Sequence, residues 1–466
     1  MKRASVILAA LGAAAYMLSA GPGQAVVGAP AHASSRSARP ATEGPIQHVV
    51  VILQENHSFD NVLGKWCAIN ARCDGATTGL LSDGTSISLP PAKDIVGPAL
   101  HTVLAQRTAI DGGNMDDFNL AGNCGPSTGF ECYQQFDPTQ VPNLVALADQ
   151  FAVSDRTFEF RTTPSFVGHM IFAAATQDDF QGDNPRHVLP GFSRGPGWGC
   201  DSNLETGWSS TGRPPYVLVP TCVPDQSGNG PAVPSPVSYV PTIFDRLDAA
   251  GLRWMLYSGT GQPGTPTGTS GYGWGICPTF YECLSTEASH YVPANHILTA
   301  AAAGTLPSFS VVTPTGPRSQ HNGDSMAVGD NWIGSVVGAI ENGPDWGSTA
   351  VFITYDDCGC FYDHVNPLQY DPNWGIRIPM VIVSPYARPG FTDSTPVTFL
   401  GILAYVEHQF GLQPLVPSAD GASYDFSDAF DYDQAPIPPV PMTSTSIPPS
   451  EREYLGAHPV VGNDPT

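Results

Sequence analysis

Two short segments of this chain concentrate oxygen donors. The first reads Gln54-Glu55-Asn56-His57-Ser58-Phe59-Asp60; the second reads Thr354-Tyr355-Asp356-Asp357 and, shortly after, Phe361-Tyr362-Asp363-His364. Each follows a run of apolar residues, 49–53 and 350–353. If both runs are strands of one sheet, Glu55, Asn56, Asp356 and Asp357 emerge together beyond its carboxyl edge, where open α/β sheets bind ligands. Like charges gathered there repel unless a cation sits among them. Oxygen donors of this kind suit a hard divalent metal. One Asp-Asp pair alone is more often a helix cap or a loop-tip ion pair; two clusters on matching strand ends tip the balance to a metal.

Ser165 is the candidate nucleophile. Thr163-Pro164-Ser165 precedes residues 166–175, an apolar stretch that reads as a helix with Ser165 at its N-cap. An ordinary cap is the commonest fate of such a serine. The same geometry also serves anions, because a helix start presents N–H groups and the positive end of the dipole. A rival, Gly191-Phe192-Ser193-Arg194-Gly195, matches G-x-S-x-G. Pro190 before it and Pro196-Gly197 after it deny the strand and helix that a nucleophile elbow requires.

The elements that must position these residues are legible as alternation. Apolar runs at 49–53, 350–353 and 380–383, with a fourth candidate at 252–257, fit a mostly parallel sheet covered on both faces. Helices are predicted over 242–250, ending at Gly251, over 330–341, stopped by Asn342-Gly343-Pro344, and over 398–410, closed by Gly411. The alternation predicts a three-layer α/β/α sandwich. Residues 181–241 and 259–290, crowded with Gly, Pro and Ser, read as long stapled loops over the sheet. The tail from Gln434 reads as Pro-rich and extended.

Met1-Lys2-Arg3, an apolar stretch over 4–20 and small-residue sites at Gly23-Gln24-Ala25 and Ala31-His32-Ala33 predict a signal peptide within 1–33, cleaved near 25 or 33. Export agrees with the ten cysteines, which fall into close couples: Cys67/Cys73, Cys124/Cys132, Cys200/Cys222, Cys277/Cys283 and Cys358/Cys360. Without paired C-x-x-C spacing, disulfides are favoured over zinc. A bridge between Cys358 and Cys360 would be strained. The formal charge of −23 argues against nucleic acid as a partner and favours a zwitterionic lipid over an anionic one. No segment after the leader is long and apolar enough for stable membrane insertion.

The two acidic segments also resemble known signatures. Glu55-Asn56-His57-Ser58-Phe59-Asp60-Asn61-Val62-Leu63-Gly64 is similar to E-N-x-S-F-D-x-x-x-G, and residues 354–365 to T-Y-D-[DE]-x-G-G-F-Y-D-H-V. Both belong to the bacterial phospholipase C and acid phosphatase family of the alkaline phosphatase superfamily. The likeness runs from about residue 46 to residue 412. It implies an alkaline phosphatase-like fold and a divalent metal bound by Glu55, Asn56, Asp356 and Asp357. Residues 163–169 resemble the family's G-P-[ST]-x-P-N-[RH] segment, which implies that Ser165 is phosphorylated in turnover. His101, His321 and His364 resemble the histidines that hold phosphate and protonate the leaving group. The chain departs from the pattern at Val167-Gly168, at Cys360 in place of Gly, and at Asn322 in place of Pro.

The expectation is therefore a secreted, metal-dependent phosphoric ester hydrolase. Its catalytic domain would span 44–433 and its tail 434–466, and its substrate would be a phospholipid or a small phosphomonoester. The alternative is a secreted binding protein that keeps the fold without turnover. Sulfatase chemistry is disfavoured because no C/S-x-P-x-R motif occurs.

Overall fold

The computed structural model describes residues 44–258, 275–286 and 288–458. The expected leader, and the part of the second loop over 259–274, lie outside them. The centre is an eight-stranded sheet. Its strands are β1 (His48–Gln54), β2 (Ala152–Ser154), β3 (Trp254–Ser258), β4 (Tyr291–Pro293), β5 (Phe309–Val312), β6 (Thr349–Tyr355), β7 (Met380–Val383) and β8 (Thr392–Asp393). Their order is β4-β3-β5-β1-β6-β7-β2-β8. Every neighbouring pair is parallel except those made by β7, which runs antiparallel to β6 and β2.

The apolar runs end up where their composition requires. All of β6, and all of β1 after its first residue, are buried, as a strand with Val and Ile on both faces must be. Helices Pro142–Gln150, His296–Ala303 and Met326–Glu341 pack as one set, and Ser165–Ala174, Ile243–Ala249 and Leu400–Phe410 as another. The architecture is the expected three-layer α/β/α sandwich.

Helix limits shift for identifiable reasons. Ile243–Ala249 starts where Thr242 and Asp245 cap each other's backbone. The helix predicted over 330–341 begins earlier, at Met326, because Ser325 accepts the Val328 N–H. The one predicted over 398–410 begins later, at Leu400, because Val397–Thr398 pairs with Thr157–Phe158 as a short strand.

Three expectations need correction. Residues 181–241 are not loop throughout: His187–Val188, Leu204–Trp208 and Val217–Pro220 form a three-stranded antiparallel sheet. Their Gly and Pro content hides short pairings that the Cys200–Cys222 disulfide brings together. Cys67–Cys73, Cys124–Cys132 and Cys277–Cys283 are also bridged, whereas Cys358 and Cys360 are free thiols, since one intervening residue is too short a loop. The tail is extended only in part, and Pro449–Ala457 is helical. Its extended part is held by side-chain amides: Asn143 bonds the Thr443 backbone and Asn331 the Thr445 backbone, each as donor and acceptor.

One buried carboxylate ties two helices of the first set together, Met326–Glu341 and Pro142–Gln150. Asp330 accepts from Asn143 N, Asn143 Nδ2 and Leu144 N at 2.9–3.0 Å, covering the open start of helix Pro142–Gln150. Asp330→Ala strands those donors and is expected to lower stability by about 2–4 kcal/mol. Urea denaturation followed by circular dichroism measures the loss.

Candidate active site

Strands β1 and β6 pair in parallel without a slip, from His48 opposite Thr349 to Gln54 opposite Tyr355. The next residues on the two strands are Glu55 and Asp356, so both acidic segments leave the sheet at one level. The ladder continues one step: Asp356 N donates to Gln54 O at 3.1 Å. Asn56 then turns into the left-handed region, φ 58°, and its N–H donates to Asp356 Oδ1 at 3.2 Å. In the facing loop, Gly359 N donates to Asp357 Oδ1 at 2.7 Å. Glu55, Asn56, Asp356 and Asp357 are all buried.

Ser165 opens helix Ser165–Ala174, and every residue of that helix is buried. It is not the cap that the sequence suggests, since Pro164 occupies the N-cap position. Asn184 supplies the missing bond from outside, its Oδ1 accepting the Phe166 N–H at 2.8 Å. The Ser165 hydroxyl is thereby released toward the acids, 3.3 Å from Asp357 Oδ2 and 3.4 Å from Asn56 Oδ1. His101 joins the group. Its Nδ1–H donates to the Ala99 carbonyl, so Nε2 carries the lone pair that accepts from Asn56 Nδ2 at 2.9 Å. The same Nε2 stands 4.0 Å from Asp357 Oδ2. His321 donates Nδ1–H to the Asn322 carbonyl and turns its ring edge-on toward His101, with centroids 6.5 Å apart.

His364 belongs to a different network. Its two ring nitrogens face Asp60 Oδ2 at 2.5 Å and Asp74 Oδ1 at 3.0 Å. Beside it, the buried Arg377 guanidinium bonds both Asp60 and Asp363 and lies over the Phe59 ring. Burial alone would lower the His364 pKa, but the hydrogen bond and charge of Asp60 outweigh it and hold the pKa above the ordinary value.

Two site residues escaped the sequence reading. His169 lies one turn beyond Ser165 on the same helix, with Nε2 2.9 Å from Glu55 Oε1 and 3.6 Å from Asp356 Oδ2. Burial pushes its pKa down to about 4 against the pull of Asp356, which leaves the imidazole neutral. The i, i+4 spacing of Ser165 and His169 was the available signal. Glu159 was not marked by any motif. Its Oε1 accepts the Cys358 N–H, and burial, reinforced by Asp356, raises its pKa well above the usual carboxyl range.

The donor set fits a divalent cation. Asp356 Oδ2 is buried and makes no hydrogen bond, an expensive state for an anionic oxygen unless a ligand meets it. Glu55, His169 and Asp356 each bring a ligating atom within 4.8 Å of the others. A cleft of about 270 Å³ is lined by Thr102, Asn184, Arg186, Glu205 and Leu218 among others, and Asn184 connects it to the start of the Ser165 helix.

Fold and site together define an α/β protein with acidic and amide donors converging on a helix-borne serine at the carboxyl edge of a parallel sheet. Residues 46–413 match the Phosphoesterase family, and the chain belongs to it. It is 25% identical to non-specific phospholipase C1 of Arabidopsis thaliana over 400 residues, covering 76% of this chain and 63% of that protein. To non-hemolytic phospholipase C of Burkholderia pseudomallei it is 24% identical, over 91% of this chain and 64% of the relative. To phospholipase C A of Mycobacterium tuberculosis it is 23% identical, over 84% and 78%. The chain thus spans less than two thirds of the length of the first two relatives.

Two substitutions probe how the loops are held. Gly359 has φ 56°, and a Cβ there would stand 2.2 Å from Asn56 O, so Gly359→Ala must displace one acidic loop from the other. A loss of about 3 kcal/mol or more is expected in thermal or urea unfolding. His364→Gln tests the second network through pH. Because the folded-state pKa of His364 is raised, its stabilisation is fully present below about pH 6.5. It fades as the pH rises through the raised value. The stability gap between wild type and His364→Gln should therefore be widest in mild acid and shrink as the pH rises through the raised pKa, as read by denaturation at a series of pH values.

Proposed function

We propose that this protein is a phospholipase C-type phosphoric ester hydrolase that works through a phosphoserine at Ser165. The observation that carries the reading is the Ser165 hydroxyl, within 3.4 Å of Asn56 and Asp357 and beside an Asp356 oxygen that is buried without a partner. In this reading Ser165 Oγ attacks phosphorus in line. The new Ser165 O–P bond forms as the bond to the leaving alcohol breaks. Asp357 Oδ2, the nearer acceptor at 3.3 Å, takes the hydroxyl proton. His321 enters as the imidazolium, keeps Nδ1–H on the Asn322 carbonyl and gives its Nε2 proton to the leaving oxygen, while His101 steadies Asn56 and the phosphoryl group. His321, left neutral, then draws a proton from the attacking water, and Asp357 returns its proton to Ser165 Oγ as the phosphoserine O–P bond breaks.

A divalent cation held by Glu55, Asn56, Asp356 and Asp357 would lower the hydroxyl pKa and neutralise charge growing on the phosphoryl oxygens. His364 holds the acidic loops together in this scheme and does not act on substrate. A phospholipid is the favoured substrate. The relatives named above are phospholipases C, and the small sheet at the cleft exposes Val188, Val217 and Leu218 where acyl chains would lie. The predicted leader and the four disulfides support an exported protein.

Ser165→Ala is expected to abolish both turnover and the acid-quenched phosphoenzyme detected by intact mass. Asp356→Asn should lower kcat about a thousandfold. The substrates are phosphatidylcholine, sphingomyelin, phosphatidylinositol and an aryl phosphomonoester. Wild-type turnover by Ser165→Ala on all of them would sink the assignment.

A further inference from the structure

We propose that His169 is itself a ligand of the cation, making the centre a mixed nitrogen and oxygen site built on Glu55, His169 and Asp356. The inference rests on the reading that this site holds a divalent metal, and it concerns which atoms hold it. The geometry is that of converging donors. Nε2 lies 2.9 Å from Glu55 Oε1 and 3.6 Å from Asp356 Oδ2, and the His169 and Asp356 side chains are 2% and 0% exposed. Two donors each about 2.1 Å from a shared cation stand about 3.0–3.4 Å apart between octahedral and tetrahedral angles. The observed spacings bracket that range.

A purely structural histidine accounts for less. A neutral imidazole with Nε2–H can donate to one acceptor, and Glu55 Oε1 takes that bond. Asp356 Oδ2 is then left buried with no hydrogen bond at all, facing the same nitrogen. A cation between the three atoms satisfies both carboxylates at once and uses the Nε2 lone pair of the other tautomer. The backbone is arranged for this approach. Gly168, just before His169, sits so near the neighbouring loop that a Cβ would be 3.1 Å from Asp356 O. A bulkier residue would push the helix, and His169 with it, away from Asp356.

The consequence is selectivity. An all-oxygen set suits Mg²⁺ or Ca²⁺, whereas an imidazole nitrogen shifts preference to first-row ions such as Zn²⁺, Mn²⁺ or Co²⁺. The test uses the whole chain, stripped of metal and titrated with Zn²⁺ and with Mg²⁺ by calorimetry. Wild type should bind Zn²⁺ at least a hundredfold more tightly than Mg²⁺. His169→Gln, which keeps a donor toward Glu55, should lose at least tenfold in Zn²⁺ affinity while its Mg²⁺ affinity stays within threefold. Unchanged Zn²⁺ affinity in His169→Gln would overturn the proposal and leave the hydrolase reading intact. If wild type binds neither ion, both fall together. A crystal structure of Zn²⁺-loaded wild type decides the matter without any variant. Nε2 about 2.1 Å from the metal supports the proposal, and Nε2 outside bonding distance ends it.

Discussion

The structure depends on one constraint: two acidic segments are forced to the same place by a parallel strand pair that cannot slip. Seven consecutive residues of β1 and β6 are in register, and the ladder bond from Asp356 N to Gln54 O extends it to the site. A shift of one residue would exchange the two buried faces of a strand and misfit the side chains packed on each, so the core itself fixes the register. The backbone thus imposes a proximity that electrostatics opposes. Glu55, Asp356 and Asp357 are brought together in a region from which water is excluded, where repulsion is least screened.

The chain meets this problem in two ways within a few residues. Around Asp60 and Asp363 it provides its own cation. Arg377, fully buried, bonds both carboxylates and also the backbone carbonyls of Asp74 and Asp155, so each carboxylate meets a fixed positive charge. That network joins the loop after β1 to the loop after β6 and makes a rigid frame. Around Asp356 the chain does the opposite. The neighbour there is His169, which burial keeps neutral, and one carboxylate oxygen is left without a hydrogen bond. Carboxylates bonded to a guanidinium, beside an Asp356 oxygen with no hydrogen bond, separate a structural role from a functional one more sharply than the acidic residues do alone.

The strands and the acidic pairs were legible because they obey local rules. Unbroken apolar runs mark doubly covered strands, and the residues that follow them inherit the strand's end. Ser165 was legible as a helix start, but its freedom was not, because the bond that replaces it comes from Asn184, a loop residue 18 positions away from Phe166. His169 was hidden for a related reason. A histidine inside a uniformly apolar helix reads as core, and only the packing of that helix against the Asp356 loop shows what it faces. The ribbon within residues 187–220 was missed because two- to five-residue strands rich in Gly and Pro leave no period to detect. Pairing and a disulfide define it instead. His364 shows the converse: a histidine inside a long motif has its nitrogens claimed by the frame.

The places where the chain departs from the family signature fit the same logic. Cys360 stands where glycine is expected and adopts φ 54°, a left-handed conformation that costs a side-chain-bearing residue about 1–2 kcal/mol. The turn is kept nonetheless, with Cys360 N donating to Cys358 Sγ and the adjacent Gly359 retaining the contact that no Cβ could make. Gly168 replaces a larger residue at the point of closest approach to Asp356. Asn322 replaces proline, yet what His321 uses there is the backbone carbonyl, which either residue supplies. In each case the local backbone is held by contacts that do not need the signature residue. What the site requires is the position of a few oxygen and nitrogen atoms, and more than one side chain can leave the backbone that carries them in place.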